Sequence, residues 1–300
     1  MTTRPLPSLP IALAWMGGSL TFFSCVAIAG REASKIVNTQ QLMMWRGFLS
    51  LALIVMVALA AGRRIGSLRT SLPHLHLLRN TIHFGAQFAW FHALAIIPLV
   101  QLFALEFTAP LWVAVLAPLF LSERLTVWRL IAVVLGFAGA LVVIIMPNAA
   151  KGVAFSMSSG SIWALVSALG FAFGLMTTKR ITRTDDAFMI LFYMSAIQAV
   201  FSLAIAASDW VLPDAAGMAW LFVVSAVSLL AHFCTAKAFA RADAIIVAPM
   251  DFLRLPLIAF AGAQLYNETL DDWVLVGALV VIAANLVNMW GERRRTVPAH

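Results

Sequence analysis

Apolar residues fill window after window of about 20 positions, the length an α-helix needs to cross about 30 Å of hydrocarbon. Ten such windows are read, beginning near Ser8, Gln41, Leu77, Val100, Val127, Gly160, Ala187, Gly217, Ala244 and Asp272. Inside them polar residues are sparse and periodic. In the third, Asn80, His83, Gln87 and Trp90 recur at i, i+3, i+7 and i+10, one stripe of a helix. Trp163, Ser167 and Phe171 make a similar face on the sixth, and Trp15, Ser19 and Phe22 or Phe23 on the first. A polar group facing lipid is costly unless it is paired, so these stripes are expected to face the interior of a helix bundle.

The pattern repeats. An offset of 145 residues lays Phe88-Ala89 on Phe233-Cys234, Ala93-Leu94-Ala95 on Ala238-Phe239-Ala240, Glu106 on Asp251, Glu123-Arg124-Leu125 on Glu268-Thr269-Leu270, and Trp128 on Trp273. An offset of 148 pairs Trp15 with Trp163, Ser19 with Ser167 and Phe23 with Phe171. The polar stripe of the third window then falls on Ser225, Ser228, His232 and Thr235 of the eighth. The expected fold class is all-α: a polytopic membrane protein of ten transmembrane helices in two five-helix repeats, residues 1–150 and 151–300. Five is odd, so the second repeat enters the membrane from the opposite side and the two are inverted. Glu106 and Asp251 would then lie about two turns from opposite faces.

Composition agrees with this class. Of 300 residues 62% are hydrophobic and 11% charged, against roughly 25% charged in soluble domains. The net charge of +7 is topogenic. With a cytoplasmic N-terminus, Arg4, Arg63, Arg64, Arg69, Arg124, Arg129, Lys179, Arg180, Arg183, Arg241 and Arg293 to Arg295 share one side, leaving Arg31, Lys35 and Lys151 on the other. This asymmetry places both termini in the cytoplasm and removes the need for a nucleic-acid partner. The first window, preceded by Arg4 and ending in Ala27-Ile28-Ala29, also has the shape of a signal peptide, but its match in the second repeat favours a retained span. Cys25 and Cys234 read as small buried hydrophobes.

Charges inside spans require partners. Arg46 shares a depth with Glu106, and Arg254 is one turn from Asp251, which gives two candidate gates or ion pairs. Pro110, Pro118, Pro249 and Pro256 interrupt the fourth and ninth windows, and interrupted helices commonly line substrate sites in transporters. Gly136 and Gly139 permit close packing of the fifth. Rings interleaved with imidazoles, amides and hydroxyls suit an amphipathic organic solute, whereas an ion filter would present carbonyls or a charged ring. No metal site is expected beyond an isolated His74-x-His76, no cofactor, and no Cys-His or Ser-His pair that helical spacing would assemble into an enzyme.

Pro110-Leu111-Trp112, then Pro118 through Thr126, followed by Gly136-Phe137-Ala138-Gly139-Ala140, resembles the end of an EamA repeat of the drug/metabolite transporter superfamily. Tyr266-Asn267-Glu268-Thr269-Leu270 is a weaker second copy, with Asn267 where Gly is usual. By overall similarity the chain looks most like aromatic amino acid exporters of the YddG type. This resemblance implies a central cavity lined mainly by the first, third, fourth, sixth, eighth and ninth helices. It further implies export of aromatic and other neutral amino acids across the bacterial inner membrane by alternating access, as a monomer or weak homodimer in the lipid bilayer. The residues expected to touch substrate are His83 and Trp163, with Gln87, Trp90, Ser167, Phe171 and His232 around them. An efflux carrier for cationic drugs or other small metabolites is the alternative, and an uncompensated cavity carboxylate would favour its cationic substrates.

Overall fold

The computed structural model describes residues 9–63, 69–121, 126–149, 157–181, 184–206, 210–239, 241 and 248–296. Among the described residues every regular element is helical: α1 (Leu9–Ser34), α2 (Thr39–Ala60), α3 (Pro73–Ile96), α4 (Leu99–Glu106), α5 (Ala109–Leu121), α6 (Val127–Ala149), α7 (Ser159–Ile181), α8 (Ala187–Ala206), α9 (Ala215–Phe239), a 3₁₀ turn (Ala248–Leu253), α10 (Arg254–Tyr266) and α11 (Asp272–Thr296). Among the described residues eight helical stretches are long and apolar enough to cross a bilayer. They are α1, α2, the α4–α5 stretch, α6, α7, α8, α9 and α11; α3, with its stripe of polar residues, and α10, at 13 residues, are not among them. The Glu123-Arg124-Leu125 motif and the start of the ninth window at Ala244 lie outside the described residues.

The fourth window is broken at Phe107–Thr108, ahead of Pro110. Pro110 is the second residue of α5, where a backbone N–H has no helical acceptor, and proline also disfavours helical geometry just before it. The freed polar groups are satisfied. Thr108 Oγ1 donates to Leu105 O at 2.6 Å, and Asn285 Nδ2 of α11 donates to Phe107 O at 2.8 Å. A buried asparagine in α11 therefore serves the broken helix, as hydrocarbon requires of any non-helical backbone.

Helix starts are capped at matching places. Asn38 Oδ1 accepts from Gln41 N at 2.9 Å ahead of α2, and Asp186 Oδ1 accepts from Met189 N at 2.7 Å ahead of α8. Thr126 Oγ1 accepts from Arg129 N at 3.2 Å ahead of α6, and Asp271 Oδ1 from Trp273 N at 2.9 Å ahead of α11. Both pairs of caps correspond under the offsets of 148 and 145, so the repeat extends to the residues that start helices.

The chain forms two compact units, Met1–His76 with Ile181–Arg254, and Leu77–Arg180 with Leu255–His300. Each unit draws on both halves of the sequence. In unit 1, α1 packs along α9 and α2 along α8. In unit 2, α6 packs along α11 so closely that a Cβ at Gly139 would stand 2.9 Å from Gly277 O. The glycines of α6 thus serve packing within one chain.

Candidate functional site

In unit 2, α3 runs antiparallel to α7 and the two predicted stripes meet. Small residues set the approach: a Cβ on Gly170 would come within 2.6 Å of Ala86 Cβ. At one end of this seam Arg79 Nε donates to Thr178 Oγ1 at 3.1 Å and its Nη1 to Asn80 Oδ1 at 2.9 Å. Next along the seam the imidazole of His83 faces the ring of Phe171, with centroids 5.7 Å apart. At the far end Trp163 meets Phe88 edge-on at 6.4 Å and His92 at 5.3 Å, while His92 also lies parallel to Phe88. His83 and Gln87 are buried, and Phe171 and Trp163 are half-buried.

Two expected members are used differently. Ser167 is fully buried and its Oγ donates to Ala164 O of its own helix at 2.7 Å. Trp90 is buried and directs its indole N–H to Glu106 Oε2 at 2.7 Å, joining α3 to the end of α4. Glu106 therefore stands at the broken helix with an indole donor beside it.

Unit 1 contains a corresponding seam between α1 and α9. Trp15 meets Phe233 edge-on at 5.8 Å, the pair that the offsets place on Trp163 and Phe88. Phe23 meets His232 edge-on at 5.2 Å, and Ser19 shares a 2.6 Å hydrogen bond with Thr235. Arg254 Nη2 donates to Asp251 Oδ2 at 2.5 Å, and the guanidinium lies 5.2 Å from the Phe23 ring. Arg46, only 2% exposed, belongs to unit 1 and donates to Gln198 Oε1 at 2.9 Å between α2 and α8, whereas Glu106 belongs to unit 2.

Sequence periodicity passed over several groups of this chemistry. Arg79 is adjacent to Asn80 and Thr178 follows Phe171 by seven positions, so both were within reach of the stripe rule. His92 sits one turn beyond Phe88 on a neighbouring face of α3. A buried cluster in unit 1 was also missed. His76 Nε2 lies 2.6 Å from Asp185 Oδ2, Thr70 Oγ1 donates to the same oxygen at 2.6 Å, and the Tyr193 ring is 4.5 Å from the imidazole. Burial opposes ionisation of Asp185, but hydrogen bonds from Thr70, His76 and Thr184 outweigh it and hold this carboxyl below its ordinary value. The cluster ties the segment ahead of α3 to the loop ahead of α8. His74 is separate from it, and among the described residues no group of His, Cys, Asp and Glu is arranged to hold a metal ion.

The α10–α11 turn explains the asparagine in the second motif. Asn267 has φ 51°, the left-handed region that favours Gly and that Asn tolerates best among other residues. The turn is anchored by Glu268, whose Oε2 accepts from Leu99 N at the start of α4 at 2.8 Å. A cavity of about 260 Å³ opens beside it in unit 2, lined by Gln101, Asn148, Ser158, Glu268 and Asp271 among apolar side chains; none of the expected substrate residues lines it. Cys25 and Cys234 both carry free thiols.

The EamA-like transporter family profile matches residues 10–145 and again 158–290. The chain is 27% identical to an S-adenosylmethionine uptake transporter of Rickettsia bellii, over 96% of this chain and 97% of that one. It is 32% identical to a riboflavin transporter of Brucella anthropi, over 82% and 86%, and 27% identical to a pseudopaline exporter of Pseudomonas aeruginosa, over 87% and 90%. A solved protein crystal structure superimposes with a TM-score of 0.64 at 17% identity, covering 95% of this chain and 99% of that one, which shows a shared fold. These relatives are small-molecule transporters, one named for uptake and one for export, and not enzymes. The chain belongs to the EamA-like transporter family.

Proposed function

We propose that this protein is a secondary transporter exporting aromatic and other neutral amino acids across the bacterial inner membrane by alternating access. In this reading ten spans form two inverted five-helix halves, both termini are cytoplasmic, and the α1/α9 seam of unit 1 and the α3/α7 seam of unit 2 are corresponding ring-lined surfaces. The observation that carries it is the paired construction of the seams: Trp15 on Phe233 and Trp163 on Phe88, each continued by an imidazole beside a phenyl ring. Rings of the α3/α7 seam receive the apolar part of an amphipathic solute, while His83 and Gln87 orient its polar part, and His232 holds a similar place beside Phe23 on the α1/α9 seam. Matching helix caps and a matching packing partner for each stripe helix support the inversion.

Asp251 is compensated by Arg254, and Glu106 accepts the Trp90 indole N–H. Neither offers the bare anion that efflux of cationic drugs would use, so that alternative ranks lower. A second reading, uptake of S-adenosylmethionine, is favoured by the relative matched over 96% of this chain. Both substrate classes join an α-amino acid to a bulky apolar or ring-bearing part, and the same walls suit either.

Counterflow in proteoliposomes separates the readings. Exchange of radiolabelled phenylalanine, faster than that of S-adenosylmethionine or a cationic dye and measured at two pH values, is the expected result. Exchange of the dye alone would overturn the amino acid reading, and exchange of S-adenosylmethionine alone would replace it with the second. The two pH values report whether protons are coupled.

A further inference from the structure

We propose that Arg79, held by Asn80 and Thr178 at one end of the α3/α7 seam, is the binding site for the carboxylate of the transported solute. The proposal rests on the reading of this protein as a carrier of amino-acid-type solutes and adds the residue that recognises their anionic end. α3 begins at Pro73, so Arg79 stands nearly two turns inside the helix and is 5% exposed. Its two bonds go to the side-chain carbonyl of Asn80 and the hydroxyl of Thr178, at 2.9 and 3.1 Å. Both acceptors are neutral. They fix the plane of the guanidinium without cancelling its charge, and they engage two of its five N–H donors.

Among the described residues no carboxylate bonds to Arg79. Contrast Arg254, which carries its own carboxylate in Asp251, and Arg63, which pairs with Asp186 at 3.1 Å. A cation buried in a membrane helix with neutral partners is expensive and marks a transport pathway more often than a structural tie. The planar fork that remains matches the two oxygens of a carboxylate.

The seam does not need this charge in order to pack. The offsets place Val224, Ser225 and Gly30 of the α1/α9 seam where Arg79, Asn80 and Thr178 stand in α3/α7. There Ser225 spends its hydroxyl on Leu221 O of its own helix at 2.6 Å, and Val224 takes the position of Arg79. Ring pairs are retained in both seams, whereas the cations of the α1/α9 seam lie over rings, Lys237 on Phe233 and Arg254 on Phe23, so such a seam packs without a cation at the position of Arg79. One turn along α3, a rise of about 6 Å, His83 and Phe171 supply an imidazole and a ring. An amino acid whose carboxylate sits on Arg79 would lay its side chain toward them.

The test compares phenylalanine with phenylalaninamide, which lacks only the carboxylate charge, in proteoliposomes containing wild type, Arg79→Lys, Arg79→Gln or Thr178→Val. Wild type is expected to favour phenylalanine. Arg79→Gln should lose about tenfold or more in kcat/KM for phenylalanine, as for loss of a charged hydrogen bond, and change little for the amide. Arg79→Lys should restore part of the preference, and Thr178→Val, which frees Nε from its anchor, should fall between. Preference for phenylalanine that persists in Arg79→Gln overturns the proposal. So does an equal loss for both compounds, which is the signature of a structural role; should Arg79→Gln fail to fold, an unchanged preference in Thr178→Val does the same. A wild type that carries both compounds equally refutes the carboxylate site and leaves the amino acid carrier standing, whereas a wild type that carries neither refutes both.

Discussion

The α1/α9 and α3/α7 seams share a plan and differ in their polar contents. Each sets a tryptophan edge-on to a phenylalanine at positions related by the same sequence offsets. In unit 1 the hydroxyls of Ser19 and Thr235 bond to each other across the seam, and a Cβ at Gly18 would meet the Cys234 side chain, 3.3 Å from Sγ and 3.9 Å from its Cβ. In unit 2 the backbones press closer at Gly170 and the Arg79 guanidinium bonds the neutral Asn80 and Thr178, whereas the unit 1 seam lays Lys237 over Phe233 and Arg254 over Phe23. What recurs is the pair of edge-on rings; what differs is the partner each seam gives its cations. The difference teaches that positions matched by one offset can keep their ring packing while their polar partners diverge.

That contrast is open to direct attack, beginning with packing. Gly170→Ala forces a methyl onto Ala86 and is expected to cost roughly 1 to 3 kcal/mol, whereas Gly18→Ala displaces only the Cys234 thiol and should cost less than about 1 kcal/mol. Thermal unfolding in detergent measures both, and equal losses would mean that the seams are packed alike. For function, His83→Ala should lower phenylalanine counterflow about tenfold, a barrier change of ~1.4 kcal/mol, while His232→Ala should lower it only severalfold. Equal effects would make the two seams equal partners in binding.

The ends of the units extend the comparison. In unit 2, Asn267→Gly should be neutral and Asn267→Ala should cost about 1 kcal/mol, because alanine in the left-handed region crowds its own carbonyl. In unit 1, the lowered pKa of Asp185 predicts a pH effect of fixed sign. A carboxylate held below its unfolded value stabilises the fold above about pH 4, and that contribution is lost as pH falls through the lowered folded value. Asp185→Asn should therefore flatten the acid side of the unfolding profile, and an unchanged acid limb would remove Asp185 from the account. This effect is expected to be the smallest because it concerns one loop tie outside the spans.

Much of this was legible because membranes impose simple rules. Long apolar windows and a lipid-avoiding stripe located the helices, and α3 was recognisable by its periodic polar residues although its hydropathy is weaker than that of its neighbours. What periodicity does not encode is where a side chain finds its partner. Four prolines were candidates for breaking helices, yet the break in the fourth window lies at Phe107–Thr108, where Asn285 of a remote helix supplies a donor. Ser167 looked like a cavity hydroxyl and bonds its own backbone, an outcome available to any helical serine. Arg79 was passed over because the stripe was counted from Asn80, although Arg79 lies one turn before His83. The left-handed Asn267 turns an apparent departure from the family motif into the second-best residue for the same geometry.

The proposed alternating-access cycle requires the second half to be inverted, and two exposed positions related by the offset of 148 report on it. Ile36, between α1 and α2, and Thr184, between α7 and α8, are 148 residues apart and precede the matching caps Asn38 and Asp186 by two positions. In a background with Cys25 and Cys234 replaced by alanine, single cysteines at these sites are treated with a membrane-impermeant maleimide on intact cells. The predicted result is labelling of Ile36→Cys from outside and labelling of Thr184→Cys only after permeabilisation. Labelling of both from the same side would place the two halves in parallel and contradict the alternating carrier.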